Sequence, residues 1–434
     1  MVWIVVALGV LYVIGVGAYT LATGSTTTQL PHRPSNGHES PALVARWTQP
    51  KVSASGLPAG AVINDVTRFQ GSIVVAGLFL PHCAGEFPQR LCTPGPTARE
   101  PAVWTSSDGN TWREAWNPGK VVLGTGTGQQ LVSTPSDLLL FDAGTGGSAL
   151  WRSTNLTSWE RVTLPATMAA LPIGAVTWGH GMFVALLSNR FAGGPVTAYG
   201  ESDSVWISSD GLSWHEVDLH FGPAVLSAVT STRTGFLLGG EFRHYNRAIV
   251  LVSTDAQHWQ WTFLGRSPGS VTAVASRSTT MVADGYEDGN VVTWRSKEGT
   301  QWTTGPSPEA NYFAPPPLFA TSTGFVGWGP GSRRLWWSSS GTTWSPVTNL
   351  KAPDPSTVDV NEILSDGDGG AFAVVSVRSP NQAQSSAQVW HVNFTLPRSR
   401  PSGLQLRYRA YAETCDRFRN VAPRQIDESG PRCP

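Results

Sequence analysis

One stretch, Val205-Trp-Ile-Ser-Ser-Asp-Gly-Leu-Ser-Trp-His-Glu-Val217, constrains the fold of this chain more than any other, because the chain keeps rewriting it. It reads as a strand, a tight Asp-Gly turn and a second strand, a β-hairpin with Trp206 on one arm and Trp214 on the other. The same phrase stands at Val103–Trp112 and, in weaker form, at Leu150–Trp159, Val252–Trp259, Trp294–Trp302 and Trp337–Trp344. The second Trp of each copy (Trp112, Trp159, Trp214, Trp259, Trp302, Trp344) marks successive intervals of 47, 55, 45, 43 and 42 residues. A period of roughly 40–50 residues built from short β runs is the signature of propeller blades. Each blade is a four-stranded sheet that cannot bury both faces alone, so blades stack around a channel.

The segments between hairpins supply the other strands. Gly181-Met-Phe-Val-Ala-Leu, Gly235-Phe-Leu-Leu-Gly-Gly, Gly324-Phe-Val-Gly-Trp and Gly370-Ala-Phe-Ala-Val-Val are apolar runs suited to strands buried on both faces. At the far end, Val358 to Ser376 and Gln388–Val392 give three strands with no marker Trp behind them. The missing fourth is available at the start, at Ala45-Arg-Trp-Thr-Gln-Pro-Lys-Val52. The expectation is therefore an all-β, seven-bladed β-propeller closed by the strand around Trp47, with six blades and irregular ends as the alternative. Composition agrees: charged residues are only 14% of the 434, while Gly (46), Pro (32) and Trp (19) are plentiful. Lys+Arg and Asp+Glu balance at 30 each, so no global field recruits nucleic acid.

Within the hairpin, Asp108 and Asp210 are expected to accept backbone N–H groups of their own turn, while Gly109 and Gly211 supply positive φ. The marker Trp is expected to cover the edge of its blade. These residues resemble the Asp-box, or BNR, repeat of sialidases, photosystem assembly-factor propellers and many exported bacterial propellers. The resemblance runs from about Arg46 to Val392, although the spacing from Asp to Trp is one residue shorter than usual. Only Asp108 and Asp210 keep both Asp and Gly; Asn155, Asp255, Glu298 and Ser340 stand at that position elsewhere. The family implies the fold far more than an activity.

The propeller is assigned to residues 44–395, between a linker at 24–43 and a basic tail at 396–434. Residues 1–23 read as a transmembrane anchor or a signal peptide. Val2 to Ala22 carries no charge and is long enough to cross a bilayer as a helix. No basic residue precedes it and the cleavage pattern is poor, which favours the anchor. Cys83 with Cys92, and Cys415 with Cys433, form two close pairs in irregular segments and read as disulfides, which places the domain outside the cytoplasm. The first basic residue, Arg33, follows the apolar run, so the positive-inside rule does not support that orientation.

No catalytic residue, cofactor or metal site is assigned. Asp366-Gly-Asp-Gly-Gly370 offers too few ligands for calcium, and the histidines are scattered. A sialidase-like glycoside hydrolase is the alternative function. It would need an arginine cluster and a Tyr–Glu pair, for which Tyr286-Glu287 is the adjacent pair. The preferred reading is a protein- or glycan-binding scaffold that uses the loops joining the middle strands of each blade. The loaded ones carry Arg190 in blade three, Glu241, Arg243, His244, Tyr245 and Arg247 in blade four, and Tyr286 and Glu287 in blade five. The tail holds eight Arg against four acidic residues, which suits lipid headgroups or an acidic polymer as well as plain solvent.

Overall fold

In a computed structural model of the chain, residues 44–48, 57, 61–79, 100–109, 111–117, 128–144, 147–187, 203–220, 222–307, 318–329, 334–347, 358–365, 370–378 and 385–395 are described. Strand β1 (Val44–Thr48) comes first. Six blades of four consecutive strands follow. Blade one is β2 (Ala61–Phe69), β3 (Ser72–Phe79), β4 (Glu100–Ser106) and β5 (Arg113–Trp116). Blade two is β6 (Gly128–Ser133), β7 (Leu138–Gly144), β8 (Gly147–Ser153) and β9 (Glu160–Val162), followed by a single helical turn, α1 (Ala166–Ala170). Blade three is β10 (Ile173–Gly179), β11 (Met182–Leu187), β12 (Ser204–Ser208) and β13 (His215–Val217). Blade four is β14 (Ala224–Ser231), β15 (Phe236–Phe242), β16 (Arg247–Ser253) and β17 (Gln260–Phe263). Blade five is β18 (Gly269–Arg277), β19 (Thr280–Glu287), β20 (Asn290–Lys297) and β21 (Gln301–Pro306). Blade six is β22 (Leu318–Ala320), β23 (Phe325–Gly329), β24 (Arg334–Ser338) and β25 (Ser345–Pro346).

The remaining sheet is composite. Its strands β26 (Val358–Ser365), β27 (Gly370–Arg378) and β28 (Ser385–Thr395) take β1 as their outer strand, antiparallel, with Trp47 opposite Val392. That is the closure anticipated from Trp47. Seven clusters of buried apolar side chains fill the gaps between successive sheets. One of them joins Ile63 and Trp104 of blade one to Phe372 and Val374 of the composite sheet, so the ring is closed by packing as well as by pairing. Edges are thereby protected at both chain ends of the propeller.

The hairpins explain how neighbouring blades lock together. In every copy a buried Ser (Ser106, Ser153, Ser208, Ser253, Ser296, Ser338) stands at the end of the third strand of its blade, as the last residue in five and one before the last at Ser296. Its Oγ accepts a turn N–H: Gly211 donates to Ser208 at 2.9 Å, and Gly109, Leu156, Gly299 and Gly341 do the same in their copies. The residue three after the Ser has positive φ each time, including Leu156 (66°) and, in the fourth copy, Ala256 (62°), where Asp255 N–H donates to Ser253 Oγ at 3.3 Å. Asp210 Oδ1 accepts the N–H groups of Leu212 and Ser213, and Asp108, Asn155 and Asp255 act likewise, as expected for the turn.

The marker Trp does more than cover an edge. Its indole N–H reaches back to the carbonyl of the positive-φ residue: Trp112 to Gly109, Trp159 to Leu156, Trp214 to Gly211, Trp259 to Ala256 and Trp302 to Gly299, at 2.9–3.4 Å. Trp344 departs from this, its Nε1 being buried without a partner. The positive-φ residue is driven against the preceding blade. A Cβ at Gly211 would stand 2.7 Å from Leu139 of blade two, so glycine is required there by contact as well as by φ. Where room exists the side chain fills the gap instead, as Leu156 and Ala256 do. This is why Asp and Gly vary among copies while Ser and Trp persist.

Among the described residues no helix is long and apolar enough to cross a membrane. The apolar run at 1–23, the linker, the tail and all four cysteines (Cys83, Cys92, Cys415, Cys433) lie outside the described residues, as do Arg190 and 366–369.

Candidate binding rim

Antiparallel order puts the turns between second and third strands on the same face of the disc as the connections from one blade to the next. The Ser–Trp hairpins lie on the other face. On the first face, blades four and five share a single turn, Leu264–Pro268, and the charged residues flagged in the sequence converge on it. Arg247, at the start of β16, donates through Nη2 to the Gly265 carbonyl at 2.5 Å, and its guanidinium lies 4.2 Å above the Phe263 ring. Glu287, at the end of β19, accepts the N–H groups of Arg266 (2.7 Å) and Ser267 (3.3 Å) through Oε1. Gly265 has φ 67°, and a Cβ there would collide with the Glu287 carboxylate. A cation on a carbonyl and an anion on two amides hold the turn from both ends, each a charge-assisted bond.

The blade-four turn Arg243–Asn246 stands beside it. Arg243 N–H donates to the Pro223 carbonyl at 2.9 Å, tying the turn to the connection arriving from blade three. Asn246 takes φ 49°, which lets the chain reverse over four residues. Tyr245 is 58% exposed, yet its ring is held against Phe242 (5.6 Å), His244 (4.7 Å, edge-on) and Phe263 (6.1 Å, edge-on). Trp261, on the outer strand β17, is 46% exposed and joins the same group, parallel to Phe242 within 7° and edge-on to Phe263 at 5.2 Å. Tyr245 stands out in the sequence within a charged, aromatic turn, whereas Trp261 lies two residues past the repeat's marker Trp259 and carries no signal of its own.

Tyr286 and Glu287 are the last two residues of β19. Successive strand residues face opposite sides of a sheet. Tyr286 is half-buried, and burial pushes its hydroxyl above its ordinary pKa. Glu287 is engaged with backbone amides, the arrangement of a turn cap. Glu241 lies within β15 opposite Ala248.

A second set of polar side chains went unnoticed in the sequence. Five of the seven inner strands carry a register shift near their start, placing Asn64, Gly174, Ser227, Thr272 and Asn361 as the extra residue. Most of them bridge to an adjoining strand. Asn64 donates to Gln129, whose Nε2 donates to Asp142 at 2.5 Å; Ser227 donates to the Val271 carbonyl. Asp65 clips blade one to blade two by accepting Leu131 N–H at 2.6 Å. Asp203 clips blade three to blade four by accepting Leu226 N–H at 2.8 Å. Burial lifts Asp65 to about 7 and Asp142 to about 6, against the lowering effect of these hydrogen bonds. Asp284 on β19 is also lifted to about 7 by burial; it accepts the Thr293 hydroxyl on Oδ1, while Oδ2 has no partner. A lone Asp in a strand leaves no sequence pattern, which is why these were missed.

No protein-family model matches this chain, and no curated protein matches it. Among solved structures it is similar to virginiamycin B lyase from Staphylococcus aureus, at 10% identity and a TM-score of 0.52 over 81% of this chain and 99% of that one. A catalytically inactive variant of that lyase with quinupristin gives 10% identity and 0.52, over 80% and 99%. YCF48 bound to D1 peptide gives 12% and 0.49, over 84% and 99%. At such identities the likeness speaks to fold alone, and together with the closed ring of four-stranded sheets it establishes the chain as a β-propeller.

Proposed function

We propose that this chain is a seven-bladed, extracytoplasmic propeller, tethered through its apolar N-terminal stretch, that acts as a protein- or glycan-binding scaffold. Its binding face is the rim of blades four and five. The observation that carries this reading is the convergence of Arg247, Glu287 and an exposed, ring-locked aromatic group on one inter-blade turn. Rigid aromatics lose little entropy on contact, and the flanking polar groups set orientation. The Ser–Trp hairpins are assigned to blade locking. The hydrolase alternative gains nothing from Glu287, which is occupied as a turn cap.

The test is capture from envelope extracts by the full-length chain, compared with Tyr245→Ser and with Leu212→Ser. Leu212 is exposed on the hairpin face, so its variant controls for general stickiness. Partner recovery lost with Tyr245→Ser and kept with Leu212→Ser is expected. Recovery that depends on Leu212 instead would move the binding face to the other side of the disc.

A further inference from the structure

The composite sheet fixes where the chain enters and leaves the ring. In each of the other six blades the end of the third strand leads directly into the fourth on the hairpin face. In the composite sheet β28 is the third strand and β1 the fourth, and they pair antiparallel with Val44 opposite Thr395. The register runs without a shift from that pair to Thr48 opposite His391. Residues opposed in an antiparallel pair stand about 5 Å apart. The chain therefore enters at Val44 and leaves at Thr395 from neighbouring points on the hairpin face, where a seventh hairpin would otherwise join the two strands.

The sequences on either side of these points offer a bilayer complementary things. Upstream, Val2 to Ala22 is uncharged and long enough to span a bilayer as a helix. Residues 23–43, between that run and β1, contain one Arg and one Glu. Downstream, residues 396–412 hold Arg398, Arg400, Arg407 and Arg409 and no acidic residue, interleaved with Leu404, Leu406, Tyr408 and Tyr411. Four arginines held beside a membrane span are drawn to anionic headgroups within about a Debye length of the surface. Even as a flexible coil, the 21 residues of the connection span only about 25 Å on average, so an anchored ring keeps the start of the basic run near that surface.

From this register we infer that residues 396–412 are a second membrane contact, binding an anionic lipid surface beside the span supplied by residues 2–22. This rests on the tether reading above and adds to it a lipid class and an orientation: the hairpin face turns to the bilayer and the rim of blades four and five turns away. Two attachments that start from one point reinforce each other, because the first raises the local concentration of surface available to the second. A soluble acidic polymer offers the arginines the same charge but gains nothing from the shared point of departure.

The experiment reconstitutes the full-length chain into vesicles of phosphatidylcholine, alone or mixed with phosphatidylglycerol, with a benzophenone side chain placed singly at Tyr408 or Tyr245. Irradiation should give lipid adducts at Tyr408, about tenfold more with phosphatidylglycerol than without, and none at Tyr245. Replacing Arg398, Arg400, Arg407 and Arg409 together by Gln should lower the Tyr408 yield about tenfold, and replacing them by Lys should restore it, since the surface reads charge. Melting temperatures within a few degrees of wild type establish that the ring is intact in both variants. Equal yields in the two kinds of vesicle, or a yield unchanged in the Gln variant, overturn the inference, and lipid adducts at Tyr245 overturn the orientation. Loss of the lipid adducts on adding polyglutamate of equal charge overturns it too, assigning the arginines to an acidic polymer. Extraction with alkaline carbonate reports on the span separately. A chain that stays in the vesicles without Tyr408 adducts leaves the tether standing, whereas a chain washed out by carbonate removes the tether and the inference together.

Discussion

Asp284 provides a test of how this propeller holds polar groups between its blades. It is wholly buried, bonded through Oδ1 to Thr293, with Oδ2 unpartnered, and burial lifts its pKa from 3.8 to about 7. Its folded pKa lies above its unfolded value, so its stabilising contribution is complete below about pH 4 and is lost as pH rises through 7. With 1.36 kcal/mol per unit, linkage puts the loss between pH 5 and pH 8 at about 2.5 kcal/mol. Asp65 and Asp142 shift in the same direction, so the wild type should melt several degrees higher at pH 5 than at pH 8. Asp284→Asn keeps the shape and removes the titration. Its amide N–H₂ replaces the orphan oxygen with an orphan donor, at about 1–3 kcal/mol, which offsets part of the gain at pH 8. The pH-dependent part is free of that offset. Thermal melts at pH 5, 6, 7 and 8 should therefore show the variant losing about 2.5 kcal/mol of the wild-type difference between the extremes. An unchanged pH dependence would refute a neutral, buried Asp284.

Three further outcomes follow from the hairpins, the shared turn and the cysteines. Ser208→Ala removes the acceptor for Gly211 N–H in a buried setting and should cost about 1–3 kcal/mol in denaturant unfolding, while exposed Ser209→Ala should stay within about 0.5 kcal/mol. Glu287→Ala should accelerate hydrogen exchange at the Arg266 and Ser267 amides about tenfold without comparable change at Gly211, reflecting about 1–2 kcal/mol of local turn stability. Nonreducing mass spectrometry of the full-length protein should find Cys83 linked to Cys92 and Cys415 to Cys433; four free thiols would remove the chief reason for an extracytoplasmic location.

Much of the architecture was legible because the hairpin is local. A strand, an Asx turn and a returning strand are written in consecutive residues, so the period, the turn bonding of Asp210 and the positive φ of Gly211 could all be read from the chain. Closure by Trp47 was legible for a related reason: a three-strand remainder at one end and a spare strand at the other leave few ways to protect an edge. The Ser of each hairpin is equally legible, present in all six copies, and it persists where Asp and Gly do not. What stayed hidden depends on tertiary contact. That Leu156 can stand where Gly211 must be glycine is decided by the neighbouring blade. The exposure of Trp261 depends on β17 being the outer strand of its blade, and the strength of Arg247 and Glu287 lies in meeting at one turn from different blades.

In the proposed function, ligands meet the rim of blades four and five, on the face opposite the Ser–Trp hairpins. Site-specific photo-crosslinking tests it most directly, with a benzophenone side chain placed singly at Tyr245, His244 and Asn290 on the rim and at Thr157, Leu212 and Gln257 on the hairpins. Irradiation of intact cells should give adducts from the rim positions and none from the hairpins. Adducts confined to Thr157, Leu212 and Gln257 would contradict the account.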